Sequence, residues 1–126
     1  MSITLGYAGV FALFAVFLAN YVLYVRLRAR RLPAWQPPAA ERVQGNFVEN
    51  VPLALLLLYL VEMAGIPGWL VHTFGSSLVL LRLLHAYGLA RNEGANYPRL
   101  IGAQGTFLLL ATLGAMALLI SFQGWV

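Results

Sequence analysis

Four apolar stretches, each long enough to cross a bilayer, limit this chain more than any other feature. They cover about 5–25, 41–64, 69–90 and 99–122. A hydrocarbon core about 30 Å thick needs roughly 20 apolar residues in a helix. Inside it every backbone N–H and C=O must find a partner within the protein, so stretches of this length read as helices. Only 10% of the residues are charged, against about 25% in a soluble domain. The expectation is an all-α integral membrane four-helix bundle, with residues 1–126 forming one domain.

The charges are unusual in kind. All eight basic residues are arginine, and the four acidic ones are Glu41, Glu49, Glu62 and Glu93. A net charge of +4 could suggest nucleic acid, but the arginines flank apolar spans. Membrane topology accounts for them better, and no nucleic-acid partner is expected. Arg26, Arg28, Arg30 and Arg31 follow the first span, and Arg91 and Arg99 border the connector after the third. The turn at 65–68 and both termini lack arginine. The positive-inside rule then predicts cytoplasmic arginine-rich connectors and periplasmic termini. No positive segment precedes the first span, so it is not a typical secretory signal.

Prolines and tryptophans punctuate the spans. Pro33, Pro37 and Pro38 fall in a connector at 32–40 and are expected to stop the first helix there. Pro52 sits inside the second span, which a membrane helix tolerates. Trp69 and Trp125 are placed like interfacial anchors, and His72 and Glu62 are expected near the same boundary.

Polar side chains inside the spans carry the functional signal. Arg42, Asn46 and Glu49 stand at i, i+4 and i+7, which is one helix face. Glu49 and Arg82 each lie about eight residues from an arginine-bearing helix end, or roughly 12 Å deep at about 1.5 Å per residue. Charges at that depth must face a partner or water. Antiparallel neighbours are expected to bring the two to one ligand or to each other. His85 follows Arg82 on a nearby face, and Arg99 opens the fourth span.

Together these residues suggest a cationic pocket with one carboxylate and one amide. It suits a small polyanionic ligand bearing an ammonium group. A bland alternative stays open: a Glu49–Arg82 pair that only tethers two helices. So do headgroup snorkelling for Arg42 and Arg99, a purely topological role for Arg30 and Arg31, and a cross-helix bond for Asn20. Gly102 and Thr106, four apart, favour close helix packing. No metal is expected, since His72 is thirteen residues from His85 and the chain has no cysteine. Without cysteine, any thiol chemistry uses a thiol brought by a ligand.

At these residues the chain resembles the membrane-associated proteins in eicosanoid and glutathione metabolism (the MAPEG family), and its bacterial members most. The resemblance rests first on Arg42-x-x-x-Asn46-x-x-Glu49-x-x-Pro52. Arg82-x-x-His85-x-Tyr87-Gly88 and Arg99-x-x-Gly102 support it. It covers nearly the whole chain. It implies a homotrimer, with glutathione held as co-substrate between subunits near the cytoplasmic side of the bacterial inner membrane. By position, Arg30, Arg42, Asn46, Glu49, Arg82 and His85 resemble glutathione-binding residues. Arg99 resembles the arginine that stabilises the thiolate, with Arg91 as its rival. Two positions depart from the pattern. Leu89 stands where eicosanoid enzymes often carry tyrosine, and Gln44 where bacterial members often carry histidine.

The implied activity is a glutathione-dependent transferase or peroxidase acting on lipophilic electrophiles or lipid hydroperoxides. A thiol's reference pKa is about 8.5, and a nearby guanidinium favours the nucleophilic thiolate. The alternative is a non-enzymatic membrane binding or assembly protein whose buried polar residues fix helix packing. A small transporter is a third class, disfavoured because no discontinuous helix pair or inverted repeat is visible.

Overall fold

A computed structural model describes residues 2–29, 37–91 and 97–124. Four helices make up the described chain: α1 (Ile3–Ala29), α2 (Pro37–Met63), α3 (Gly68–Arg91) and α4 (Tyr97–Gly124). Each helix runs a few residues beyond the expected span at one or both ends. The first connector shows the clearest difference. It was expected to reach residue 40, but α2 already begins at Pro37. Pro37 and Pro38 open the helix there, since the first turn has N–H groups without helical partners and proline simply lacks one. Pro98 stands likewise in the first turn of α4. Pro52 lies inside α2 without ending it.

Three helices are long and apolar enough to cross a membrane, over Ile3–Arg28, Glu41–Met63 and Leu100–Gln123. Helix α3 has 24 residues, so its length suffices at about 1.5 Å per residue. Its composition is more polar, because it carries His72, Thr73, Ser76, Ser77, Arg82 and His85.

Helix α2 is the central element. It packs on α1, α3 and α4, while α1 and α4 do not touch among the described residues. Its buried stripe is Val43, Phe47, Val51, Ala54, Leu58 and Val61, spaced by threes and fours as one helix face requires. Phe11, Leu18, Val71, Leu78, Leu109 and Leu113 close the core around it. The outer surface is also apolar: Leu13 is 75% exposed and Leu108 69%. A soluble monomer does not leave so much apolar surface in contact with water, and a bilayer is the solvent that suits it.

The α2–α3 turn is tightly specified. Gly65 has φ of +104°, a conformation that favours glycine. The Gly65 N–H donates to Glu62 O at 3.1 Å and the Ile66 N–H to Val61 O at 3.4 Å. That double bond pattern is a Schellman cap. The Pro67 carbonyl then accepts from Leu70 N at 3.0 Å and starts α3.

Candidate functional site

On α2 the sequence expectation holds at the level of the face. Arg42 and Glu49 are exposed and Asn46 is partly buried. At 100° per residue they sit on a different side from the stripe beginning at Val43 and Phe47. Asn46 is not idle, since its carbonyl accepts from Asn50 Nδ2 at 2.8 Å and its Oδ1 lies 3.3 Å from the same nitrogen. Glu49 faces outward, and among the described residues it makes no ion pair.

Arg82 has a different setting. It is 2% exposed and the largest of the fully buried side chains. Its Nη1 donates to Thr106 Oγ1 at 3.4 Å, and its Nη2 lies 3.4 Å from His85 Nδ1. Its Nε, also buried, has no hydrogen-bond partner among the described residues. A guanidinium only donates, so the His85 Nδ1 in this contact is the acceptor and the ring proton is assigned to Nε2. His85 is itself 3% exposed. Arg82 and His85 are thus brought together as the sequence predicts.

The setting of Arg82 needs α4 close to α3, and Gly102 provides that. A Cβ on Gly102 would lie 2.6 Å from both the Leu81 carbonyl oxygen and the His85 amide nitrogen. A Cβ on Gly105 would lie 2.4 Å from Leu81 Cδ2. These small positions let the two backbones approach. One turn on, Thr106 is completely buried and donates to Gly102 O at 2.6 Å. The expected packing role of Gly102 and Thr106 is met. The contact of Thr106 with Arg82 had no signal in the linear sequence, because it joins residues 24 apart on two helices.

Other expected residues are not joined in one chain. No hydrogen bond or ion pair links the α2 set, Arg42, Asn46 and Glu49, to Arg82 or His85 among the described residues. Arg30 lies outside the described residues, and Arg99 is described only as part of the backbone of α4. Arg91 stands likewise at the end of α3. Glu41 is engaged elsewhere: Arg26 Nε and Nη2 each donate to its Oε1 at 2.9 Å. That pair is exposed, and such pairs contribute about 0–1 kcal/mol. Among the described residues no group of three His, Cys, Asp or Glu could hold a metal.

A second polar cluster, at the opposite end, is built into the fold. The Glu62 carboxylate accepts from Ser2 Oγ and Thr4 N, each at 2.9 Å, and from Ile3 N. It thereby caps the N-terminus of α1 from the end of α2, where backbone N–H groups and the helix dipole both favour an anion. Tyr7 Oη donates to His72 O at 3.2 Å and lies 3.0 Å from His72 Nδ1. The Tyr7 ring occupies the space a Cβ on Gly75 would need, 2.5 Å away. Glu62 lies near the end of α2 and His72 near the start of α3; their partners had no signal in the sequence.

Comparison with known proteins agrees with this architecture. A stretch of 50 residues is 44% identical to the inner membrane protein YecN of Escherichia coli K12. The same figures hold for YecN of Escherichia coli O6:H1. The match covers 40% of this chain and 38% of the relatives, so the chain aligns with less than half of their length. No solved structure matches. The MAPEG family model matches residues 4–119, and with four packed helices, three of them apolar enough to cross a membrane, the chain belongs to the MAPEG family.

Proposed function

We propose that this protein is a glutathione-dependent transferase or peroxidase of the bacterial inner membrane, acting on lipophilic electrophiles or lipid hydroperoxides. The location follows the relatives' name, inner membrane protein. One observation supports the activity above the others. Arg82 is buried with an unpartnered Nε, while Glu49 faces outward without an ion pair among the described residues. Opposite charges at similar depth that do not neutralise each other are available to a third party. Glutathione has two carboxylates for arginine forks and an ammonium group for Glu49.

Arg42 and Glu49 face outward while Arg82 and His85 are buried in the bundle, so a single chain does not surround the ligand. A homotrimer resolves this, because a neighbouring copy covers the outward face of α2. It also gives Glu49 a setting other than lipid, which a carboxylate at that depth requires. The arginine-rich connectors are on the cytoplasmic side in this reading and both termini are periplasmic. Reporter fusions near Ala95 and at the chain end test that arrangement by reporting opposite compartments.

In the proposed reaction Arg42, Asn46, Glu49, Arg82 and His85 hold glutathione, and Arg30 reaches one of its carboxylates. Arg99 stands beside the sulfur. Its guanidinium stays charged at any relevant pH and favours the thiolate, while solvent takes the proton. The thiolate then attacks an electrophilic carbon, forming an S–C bond as the leaving group departs with its electron pair. With a hydroperoxide, the sulfur attacks the O–O bond, giving glutathione sulfenic acid and the alcohol. A second glutathione converts the sulfenic acid to the disulfide and water. The protein contributes position and charge.

The test is glutathione binding to purified protein in detergent, followed by turnover with chlorodinitrobenzene. Arg99→Ala should bind glutathione nearly as the parent does but lose turnover and thiolate absorbance. Arg91→Ala should change little. Binding without turnover for any electrophile or hydroperoxide would favour the non-enzymatic binding protein, and no binding would remove glutathione altogether.

A further inference from the structure

We infer that Thr106 is a positioning residue that aims the Arg82 guanidinium at an anionic group of the bound ligand. The inference rests on the proposed reading of Arg82 as a glutathione-binding residue. It begins with the hydroxyl's single hydrogen. Thr106 Oγ1 donates it to Gly102 O at 2.6 Å. The oxygen is then left as an acceptor only, and Arg82 Nη1 is the donor it meets, at 3.4 Å.

A threonine that merely packs in a helix is satisfied by its own backbone. Thr112, on the same helix, does this by donating to Leu108 O at 2.8 Å, and it faces outward. Thr106 makes the same back-bond but is 0% exposed and turned toward Arg82. Its reach depends on Gly102, whose missing Cβ lets α4 lie against the backbone of α3 at Leu81 and His85. Any larger residue at 102 would carry the Thr106 hydroxyl away from the guanidinium.

The two contacts orient Arg82 without saturating it. Thr106 takes Nη1 and His85 faces Nη2, both at 3.4 Å, longer than the usual range of about 2.7–3.2 Å. Each terminal nitrogen keeps a second hydrogen, and the buried Nε keeps its only one. The Nε–H and an adjacent terminal N–H are a pair of parallel donors of the kind a carboxylate takes up in a bidentate fork. Two light supports on a rigid planar group fix its plane, and they leave the Nε–H without a partner among the described residues.

The experiment compares Thr106→Val and Thr106→Ser in the full chain in detergent. It measures glutathione dissociation constant, KM, kcat with chlorodinitrobenzene, and melting temperature. Valine keeps the shape and removes the hydroxyl. It should weaken glutathione binding about tenfold and raise KM for glutathione in step, with kcat at saturating glutathione within about twofold of the parent. Serine should restore binding to within about twofold, because it keeps the oxygen. Equal glutathione affinity in parent and Thr106→Val would overturn the inference, even if the melting temperature fell. If Thr106→Val does not assemble, Thr106→Ala, which adds no bulk, is read by the same criteria. A parent protein that binds no glutathione fails earlier, and that failure belongs to the reading of Arg82 as well.

Discussion

The two ends of the bundle treat their polar groups in opposite ways. At the end without arginines, Glu62 accepts three hydrogen bonds from the start of α1, and Tyr7 joins α1 to His72 on α3. The Gly65 turn closes its own carbonyls. At the arginine-bearing end, Arg82 has two long contacts and an unpartnered Nε, and Glu49 faces out of the chain. Both ends contain charge inside or beside apolar surface. The first engages its carboxylate within the chain; at the second Arg26 pairs with Glu41, while Glu49 makes no ion pair among the described residues. Each end keeps one buried side-chain atom without a partner among the described residues, Thr4 Oγ1 at the first and Arg82 Nε at the second; only the second belongs to a charged group, for which the cost is larger, and the proposed binding site is there.

Substitutions at the two ends should therefore separate affinity from stability. The largest effect is expected from Arg82→Leu. Two charge-assisted hydrogen bonds at about 1.5–3 kcal/mol each correspond to a loss of glutathione affinity of about a hundredfold or more. Among the described residues no carboxylate pairs with Arg82, so thermal melting in the same detergent should move little. Collapse of the melt would instead make Arg82 a structural residue and erase the contrast between the ends.

Gly102→Ala comes next. Its Cβ would meet the Leu81 carbonyl and the His85 amide at 2.6 Å, and overpacking of this kind costs about 1–3 kcal/mol. Because α3 carries Arg82, both the melt and glutathione affinity should suffer. A variant that melts normally would show that α4 can back away freely.

Glu62→Gln should reverse the pattern of Arg82→Leu. Loss of the charged cap should cost about 1–2 kcal/mol in stability, with glutathione affinity unchanged. The smallest effect is expected from Tyr7→Phe, which removes one hydroxyl and should cost about 0.5–1.5 kcal/mol, again with normal binding. Impaired glutathione binding in either variant would mean that the two ends are coupled, and the distinction drawn between them would have to be abandoned.

Much of this was legible before folding. The four apolar stretches located the helices to within a few residues, because bilayer thickness and helix rise leave little freedom of length. The α2 face was also readable, since 42, 46 and 49 lie on one side of any helix that contains them. The first connector ends earlier than the expected residue 40, because Pro37 and Pro38 form the first turn of α2.

Composition and period thus settled the class and the helix count, for these depend on local spacing and on the cost of polar groups in hydrocarbon. Which charges would neutralise each other was a different matter. The expectation that Glu49 and Arg82 share a depth was a statement about rise per residue, and rise says nothing of rotation between helices. Only the packed bundle turned Arg82 inward toward Thr106 and Glu49 outward. The same packing brought Glu62 to the start of α1 and Gly102 against the backbone of α3. Such contacts join residues far apart in the chain, and their geometry exists only once the helix faces have been chosen by the core.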